Sequence, residues 1–581
     1  MPGRSAELDL FAKRRSPASR YICPLLALVA FVPTVLRAGW PEPVIPHAVG
    51  LGIQVAALLA IVATILIPAL VPPRVGLRGR RIEFALALGA LVLGPFSWPL
   101  AAALTSLLVL YHVLTLYLDL VQTSIPPGLV FVGSFILFSA LGTAALMLPA
   151  AVPESAPPIS LLDAAFTIVS AISQTGLVVR DTGSEFTRFG QIVILVWIQV
   201  GALGVIVFGA LLASVFGSSF GLRAQRTIAE DTEQGWSGQL SLTKLVVFTV
   251  VVTHLIELVG VVVLYFGWPE TWEGAPDISE PGDRLFHSVF FTVSAFCNAG
   301  FATTGNSMQG LRSHWTPHLV LVPLIILGSI GFPVLDNIRQ TFLARVRGIR
   351  VIDGRLVRFN LNTKVILSAT LIIYVIGYVG IFIGETTQAN VPVGAAALDA
   401  HFMNINRTSG FDSIAPNDMG ILSRLVLILL MFIGGSPGSV AGGIKMMVFA
   451  VLALTVWSTL MGRRQTEVFG RTIPDVVVRK SATLITLSLA TVMISTGVLA
   501  ATETRPGLTL GMILFDSVSA FGTTGLSMGV AGEATVPGKI TFIVTMFMGR
   551  VGPLAVLAGL LSLARGSKPR YEYPTEDVVI Y

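Results

Sequence analysis

Charged residues are scarce in this 581-residue chain. Asp, Glu, Lys and Arg make up 12% of it, whereas 54% is hydrophobic and the mean hydropathy is +0.80. Because an average soluble domain carries roughly 25% charged residues, a water-soluble fold is excluded. Helices satisfy their own backbone hydrogen bonds in lipid, so we predict an all-α integral membrane protein with many spans.

Cysteines and catalytic patterns are also nearly absent. The two cysteines, Cys23 and Cys297, lie 274 positions apart, which excludes a disulfide framework and a cysteine-based metal site. The chain has no Gly-x-x-x-x-Gly-Lys-Ser/Thr loop, and its intramembrane acids are too few for a membrane-embedded enzyme, so no enzyme is expected. The net charge of +6 comes from short basic runs between apolar stretches. Membrane topology, rather than nucleic-acid binding, explains these runs.

Long apolar runs give the predicted spans, since a helix needs about 20 apolar residues to cross a bilayer. They lie near 21–39, 49–71, 128–149, 189–212, 242–267, 318–335, 362–384, 421–434, 447–460, 480–501 and 538–563. The run 84–119 is too long for one span and contains Gly94, Pro95, Trp98 and Pro99. It therefore predicts a tight hairpin of two short spans.

The distribution of Lys and Arg predicts the orientation of these spans. Basic residues cluster in 336–364 and 457–480, which are expected in the cytoplasm. The segments 150–188, 268–316, 386–423 and 503–538 carry few basic residues and are expected outside. Both termini are then cytoplasmic, and the protein lies in the cytoplasmic (inner or plasma) membrane.

A fourfold internal repeat lies in the external segments. Each contains a helix-like stretch that ends in a polar, glycine-centred turn: SAISQTGL at 170–177, SAFCNAGF at 294–301, NINRTSGF at 404–411 and SAFGTTGL at 519–526. A second glycine cluster follows 24 to 28 residues later. The predicted unit is a span, an external half-helix with a polar loop, and a second span, repeated in parallel.

Four such loops on one axis are typical of a cation pore. Non-helical backbone at membrane depth is tolerated only where it is buried in protein or lines water. Glycine lets the carbonyl oxygens turn inward and replace the water shell of a bare cation. The half-helices also aim their negative carboxyl ends at the axis. The predicted selectivity filter contains Gln174, Thr175, Gly176, Asn298, Ala299, Gly300, Thr408, Ser409, Gly410, Thr523, Thr524 and Gly525.

The glycines of the second helices have a competing interpretation. Gly-x-x-Gly patterns in membrane helices usually indicate close helix packing. This interpretation is favoured for the pairs Gly201 and Gly204, Gly328 and Gly331, and Gly549 and Gly552. The loop glycines lie in polar external segments, where packing gives no reason for the pattern.

The four loop sequences resemble those of the Trk/Ktr/HKT superfamily of potassium transporters, and most closely the Ktr-type membrane subunit. The likeness covers about 128–565 and rests on TGLVV at 175–179, NAGF at 298–301, NRTSGF at 406–411 and GTTGLS at 522–527. It implies that the filter binds potassium, since relatives that favour sodium tend to carry Ser where this chain has Gly176. It also implies a homodimer on a cytosolic ring of nucleotide-binding regulatory subunits, with no covalent cofactor and with sodium as a candidate activator.

The sequence 434–445 predicts a gate. Five glycines and a proline interrupt an apolar run, and each glycine costs about 1 kcal/mol of helix stability and proline about 3 kcal/mol. A flexible loop is expected there, and the resemblance implies an intramembrane gate. The predicted gate residues are Gly434, Gly435, Ser436, Pro437, Gly438, Gly442, Gly443, Lys445 and Arg550.

The two charged members of this set have alternative roles. Arg550 interrupts the apolar run of the fourth repeat, and a charge at a helix centre costs about 2.5–3.5 kcal/mol on insertion scales. It is predicted to border the pore near the loop, although a structural tie between helices is the alternative. Lys445 has the cytoplasmic interface as its alternative location.

Together these observations predict six regions. The first region, 1–121, contains extra spans, and Ktr-type subunits have only a short tail there. Four pore repeats follow in 122–235, 236–350, 351–470 and 471–565, and a cytoplasmic tail lies in 566–581. The predicted function is potassium uptake through a channel-like pore. An alternating-access carrier of another monovalent cation or small solute is the competing class, but such carriers usually have inverted repeats with broken helices at the midplane.

Overall fold

A computed structural model describes most of the chain. The described residues are 17–40, 46–70, 81–93, 97, 100–102, 104–109, 111–112, 127–218, 242–276, 278–348, 351–352, 355–356 and 358–553. The basic amino-terminal residues, the predicted hairpin turn at Gly94–Pro95 and Trp98–Pro99, and the predicted tail 566–581 lie outside them.

The amino-terminal part forms a small helical bundle. Its helices are α1 (Pro17–Gly39), α2 (His47–Leu70) and α3 (Arg81–Leu93), followed by helical residues at 100–102 and 104–109. Gly89 of α3 faces Leu104, so the last two segments lie side by side. A polar cluster crosses the bundle, where Gln54 Nε2 donates to Thr34 Oγ1 (3.4 Å) and Thr105 Oγ1 (3.1 Å). Gly39 sits directly against Leu148 and connects the bundle to the rest of the protein.

The remaining described residues repeat one order of elements: a long helix, a short helix that ends in a polar loop, and a second helix. The first set is α4 (Pro127–Leu146), α5 (Leu161–Ser173) and α6 (Arg188–Ser218), and the second is α7 (Leu242–Gly267), α8 (Pro281–Phe296), α9 (Val322–Ser329) and α10 (Phe332–Val346). The third is α11 (Leu361–Thr387), α12 (Val393–Asn406), α13 (Ile421–Phe432) and α14 (Met446–Leu460). The fourth is α15 (Asp475–Thr502), α16 (Leu510–Gly522) and α17 (Val536–Val551).

The short helices α5, α8, α12 and α16 begin at defined polar or proline signals. Ser160 Oγ accepts the Asp163 N–H at the start of α5, and Thr509 Oγ1 accepts the Met512 N–H at the start of α16. Such N-caps satisfy backbone donors that a helix leaves free. Proline occupies the first turn of α8 instead, where its missing N–H costs nothing. These caps fix where each short helix enters the protein.

The carboxyl halves of the short helices are buried among aromatic side chains. Phe166, Phe291, Phe402 and Phe515 are fully buried, and Phe521 is 1% exposed. Lipid gives helices no hydrophobic reason to associate, so close packing of this kind holds them together. The short helices therefore form the centre, and the long helices surround them.

The long helices have the length and hydropathy of membrane spans. Within the described ranges, five helical segments meet both criteria: Ile22–Gly39, Ala48–Leu66, Phe248–Gly267, Leu361–Thr387 and Asp475–Thr502. Pro317–Ser329 and Phe332–Val346 meet them as a pair, bent by 102°. Gly331 makes this bend with a φ of +92°, which side chains disfavour.

Two small antiparallel hairpins lie in the basic segments that were predicted to be cytoplasmic. β1 (Val351–Ile352) pairs with β2 (Arg355–Leu356), and β3 (Thr466–Val468) pairs with β4 (Arg471–Ile473). Phe469 at the tip of the second hairpin is 56% exposed. Each hairpin connects two membrane helices.

Candidate functional site

Three of the four short helices end in the same backbone motif. Gln174, Asn298 and Thr523 have left-handed φ values of 59°, 54° and 50°. The next residue in each loop donates its N–H to a carbonyl five residues earlier: Thr175 to Ser170 (2.8 Å), Ala299 to Ser294 (2.8 Å) and Thr524 to Ser519 (2.9 Å). This Schellman-like ending satisfies the last helical carbonyls and turns the chain back toward the centre.

The third loop departs from this motif. Ser409 and Gly410 both donate their N–H groups to the Asn406 carbonyl, at 3.0 and 2.8 Å. This loop also differs in sequence, because Asn404-Ile405 replaces the Ser-Ala pair of the other loops. Asn404 Nδ2 is bound to the Tyr374 carbonyl (2.7 Å) on α11. The predicted fourfold pattern is therefore three similar loops and one variant.

The loop glycines form a closed ring with the neighbouring loops. Gly176, Gly300, Gly410 and Gly525 have φ values of +83°, +69°, +88° and +97°. A Cβ at any of them would overlap a carbonyl oxygen of the next loop: Gly176 faces Ala299, Gly300 faces Ser409, Gly410 faces Thr524 and Gly525 faces Thr175. We call these eight residues the glycine ring. Its order around the centre follows the order of the loops in the chain.

The glycine ring places each of four backbone carbonyls beside the glycine of a neighbouring loop. Thr175, Ala299, Ser409 and Thr524 are fully buried, so their oxygens are shielded by protein from lipid and bulk water. Carbonyl oxygens are the ligands that can replace the hydration shell of a bare cation. Of the predicted filter residues, Gln174, Asn298, Thr408 and Thr523 lie one residue before this ring in their loops.

The predicted gate sequence forms a closed loop between α13 and α14. Ile433 and Ile444 form a bridge at its base, where Gly434 N–H donates to the Ile444 carbonyl (2.8 Å). Met446 N–H donates to the Gly435 carbonyl (2.9 Å) just beyond it. We call residues 434–445 the gate loop, because that is the role proposed below.

The gate loop is bound by backbone hydrogen bonds from the second and fourth sets of helices. Val440 N–H donates to the Gly328 carbonyl (3.2 Å), and Phe332 N–H donates to the Gly438 carbonyl (3.1 Å). Gly443 N–H donates to the Gly549 carbonyl (3.2 Å). Gly328 lies in the last turn of α9, before the bend, and Gly549 lies in the last turn of α17, so the loop lies where neighbouring helices end.

Arg550 reaches the gate loop from α17. It is 4% exposed, and its guanidinium donates to the carbonyls of Val440 in the loop and of Gly201 in α6 (3.2 Å). Lys445 Nζ turns back to the Ala441 carbonyl (2.6 Å) of its own loop. Both charged residues of the predicted gate set therefore bind backbone within this region.

The second-helix glycines mostly provide close packing. A Cβ at Gly201, Gly328 or Gly549 would overlap the carbonyl of Ile172, Phe296 or Phe521, near the carboxyl end of the neighbouring short helix. Gly204, in contrast, has no atom within 4 Å of the Cβ position. The packing interpretation therefore fits three of these glycines, and Gly434 and Gly435 belong to the gate loop.

An acidic residue lies just outside the ring. Asp412, two residues after Gly410, accepts a hydrogen bond from Gln309 Nε2 (2.6 Å). Burial raises the pKa of this carboxyl above its usual range, and the hydrogen bonds from Gln309 and Ser307 oppose that shift. Asp412 thereby joins the third loop to the segment that follows the second loop.

Sequence reasoning did not single out Arg407, which contacts Thr524 of the ring and Ile433, the residue before the gate loop. It is 8% exposed and precedes the glycine of the third loop by three positions. The equivalent residues of the other loops are Ser173, Cys297 and Gly522. An arginine at a position where the other loops have small residues is the sequence signal that would have identified Arg407.

Comparisons with known proteins identify the family. The TrkH family, described as cation transport protein, matches residues 128–562. The Ktr system potassium uptake proteins B of Bacillus subtilis (strain 168) and Vibrio alginolyticus are both 33% identical to this chain, over 465 and 457 residues. The alignments cover 78% and 77% of this chain, and 96% and 94% of the relatives.

The fold has a counterpart among solved structures. The potassium transporter TrkH from Vibrio parahaemolyticus matches with a TM-score of 0.58 at 17% identity, over 93% of this chain and 98% of that chain. This match extends into residues before 128, which lie outside the family match. It supports the mostly helical architecture. The chain therefore belongs to the TrkH family of cation transport proteins, and it is a membrane transporter rather than an enzyme.

Proposed function

We propose that this protein takes up potassium through a channel-like pore whose selectivity filter is the glycine ring with the residues that precede it. The observation that carries the proposal is the closure of the ring, in which each loop glycine faces a carbonyl oxygen of the next loop. A pore needs such an arrangement, because four loops on one axis provide a complete set of backbone oxygens. The relatives named as potassium uptake proteins support potassium as the ion.

A preference for potassium over sodium fits the backbone chemistry of the proposed filter. All four ring positions that face a carbonyl are glycine, so no side chain enters the space between neighbouring loops. The short helices direct their carboxyl ends toward the same place, which favours a cation. In this proposal potassium is the transported ion, and sodium is a candidate activator rather than a bound cofactor.

The gate loop is the proposed barrier below the filter. Its five glycines remove the helical constraint, and Arg550 and its backbone partners hold it in one position. Movement of 434–445 then requires a limited set of hydrogen bonds to break. A barrier of this kind can be moved without unfolding a membrane helix.

Regulation is proposed to come from the cytoplasmic side. The basic segments 336–364 and 457–480 each contain a short hairpin, and these are the proposed docking surfaces for a cytosolic nucleotide-binding ring. Positive-inside topology alone also accounts for their charge. We further propose a homodimer in the cytoplasmic membrane, with both termini in the cytoplasm.

Ion flux in reconstituted liposomes tests this function. Wild-type protein should carry potassium and rubidium well above sodium, and the distribution of potassium should follow an imposed membrane potential. An alternating-access carrier driven by protons would instead accumulate potassium at zero potential. Absence of potassium flux, or equal flux of potassium and sodium, would contradict the proposal.

Growth of potassium-uptake-deficient cells at low potassium, with and without sodium, tests sodium activation.

A further inference from the structure

Arg407 places a buried positive charge beside the glycine ring. A cation at this position repels the ion that the ring is proposed to bind, and its burial removes much of its hydration. Ion repulsion and lost hydration both disfavour an arginine at this position, so another interaction must favour it. The role follows from the backbone groups that Arg407 binds.

The guanidinium of Arg407 binds the root of the gate loop. Nη1 donates to the Leu430 carbonyl (3.0 Å) in the last turn of α13 and to the carbonyl of Ile433, where the helix has ended. Carbonyls at a helix end have no partner within the helix. Ile433 is also half of the bridge that closes the gate loop at Ile444. Arg407 therefore binds the backbone just before the first residue of the gate loop.

The backbone of Arg407 belongs to the filter side. Its carbonyl accepts the Thr524 hydroxyl (2.8 Å) of the fourth loop. The next residue, Thr408, donates its hydroxyl to Asn298 Oδ1 (2.9 Å) of the second loop. A displacement of Arg407 is thus transmitted to three of the four loops around the ring.

Arg407 lies beside the end of α13. In the other sets, small residues occupy the equivalent position; Gly201 and Gly549 lie within α6 and α17, and α9 ends at Ser329 before its 102° bend. Within the described residues, the helix that ends above a gate loop is the one that has an arginine at its carbonyls. The side chain replaces the hydrogen bonds that continued helix would have supplied.

We propose that Arg407 is a positioning residue that couples the gate loop to the selectivity filter, so that the conformation of the loop and the ion preference of the ring depend on each other. This inference rests on the proposed function. Because such coupling is reciprocal, changing the loop alters selectivity, and changing the ion alters the loop. Without Arg407 the coupling falls to what the direct hydrogen bond between Gly442 and Thr523 supplies.

The first test measures the potassium-to-sodium flux ratio per folded protein. Deletion of 438–443 should change this ratio by about fivefold or more when Arg407 is present, the lower end of typical coupling between sites. In an Arg407→Met background the same deletion should change the ratio by a clearly smaller factor, and the remaining change comes from the lost hydrogen bond between Gly442 and Thr523. Arg407→Lys should restore part of the coupling, because it keeps a charged donor although not the planar guanidinium whose Nη1 reaches both carbonyls. An equal change in both backgrounds overturns the inference.

Arg284→Met is the matched control for these variants. Arg284 also donates to a backbone carbonyl, that of Trp268 (2.8 Å), but it lies near the start of α8, away from the gate loop. It should leave the effect of the loop deletion as it is in the wild type. If Arg284→Met weakens the coupling as Arg407→Met does, loss of any arginine that binds a backbone carbonyl is sufficient and the specific role is refuted.

The second test does not depend on flux. Ser439→Cys places a thiol in the gate loop, and Cys23 and Cys297 are both buried. Its rate of modification by a hydrophilic maleimide should differ between potassium and choline when Arg407 is present, and this difference should be clearly smaller with Arg407→Met. A rate independent of potassium, or the same response in both proteins, overturns the inference. Failure of the proposed function would appear separately, as absent potassium flux in the wild type.

Discussion

The backbone N–H of Gly442 donates a hydrogen bond to Thr523 Oγ1 at 3.1 Å, which joins the gate loop directly to the fourth filter loop. The Cβ position of Gly442 lies against the same side chain, so only glycine allows this approach. Thr523 itself is in the left-handed conformation that ends α16. The proposed gate and the proposed filter therefore touch without an intervening side chain.

Thr523→Val should increase basal potassium leak. Valine keeps the shape of threonine but cannot accept the Gly442 N–H, and a typical hydrogen bond stabilises by about 0.5–1.5 kcal/mol. The leak should rise by about two- to tenfold, measured as liposome flux without a cytosolic partner. Thr523→Ser retains the hydroxyl and should remain near the wild type. Normal leak in Thr523→Val would show that this bond does not hold the gate loop.

Gly176→Ser should reduce the preference for potassium over sodium. A Cβ at Gly176 overlaps the Ala299 carbonyl and sits at a φ of +83°, so both loops must shift. Uptake of potassium, rubidium and sodium should be compared with that of Gly204→Ser, whose side chain has open space in the same repeat. Unchanged selectivity in a well-expressed Gly176→Ser protein would count against the filter assignment.

The helix pattern could largely be predicted from the sequence, because membrane helices must be long and apolar. The run predicted at 242–267 has the same bounds in the structure. The runs 421–434 and 447–460, each predicted as a span, form helices of 12 and 15 residues, Ile421–Phe432 and Met446–Leu460, which are shorter than a span. The repeated glycines identified the loops, since glycine is needed where a side chain would overlap backbone. The composition of the apolar runs and the spacing of the glycines are therefore sufficient to predict the positions of these helices and loops.

Contacts between repeats could not be predicted. Arg407 lies in a repeated motif, yet its partners Leu430 and Ile433 depend on where α13 ends. The third loop, whose backbone differs from the others, carries a tertiary contact between Asn404 and Tyr374 that the sequence does not reveal. A single sequence shows which residues are unusual, and the folded chain determines what they bind.

Deletion of 438–443 should raise basal potassium flux and reduce its dependence on the cytosolic partner. The deletion removes Val440, which accepts from Arg550, and Gly442, which donates to Thr523. Flux should be measured with and without the partner, and folding checked by gel filtration. A well-folded deletion variant with wild-type flux and regulation would remove the gate loop from the mechanism.

Arg550→Ala should also increase the basal potassium leak. The guanidinium joins the Val440 carbonyl of the gate loop to the Gly201 carbonyl of α6, so it holds the loop against a helix of another repeat. Hydrogen bonds to a charged donor contribute about 1.5–3 kcal/mol. Shifting the closed state by that amount changes the open population by about ten- to a hundredfold.

Arg550→Lys separates a gating arginine from a purely structural one. Lysine keeps the charge but lacks the forked donors that reach two carbonyls at once, so its leak should lie between those of the wild type and Arg550→Ala. A structural arginine gives a different result, because both variants then lose expression or thermal stability without any gain of flux. Liposome flux per folded protein, measured beside the melting temperature of each variant, distinguishes the two. Lower flux with normal stability would exclude Arg550 from the gate, since a residue that holds the closed state cannot reduce conduction when it is lost.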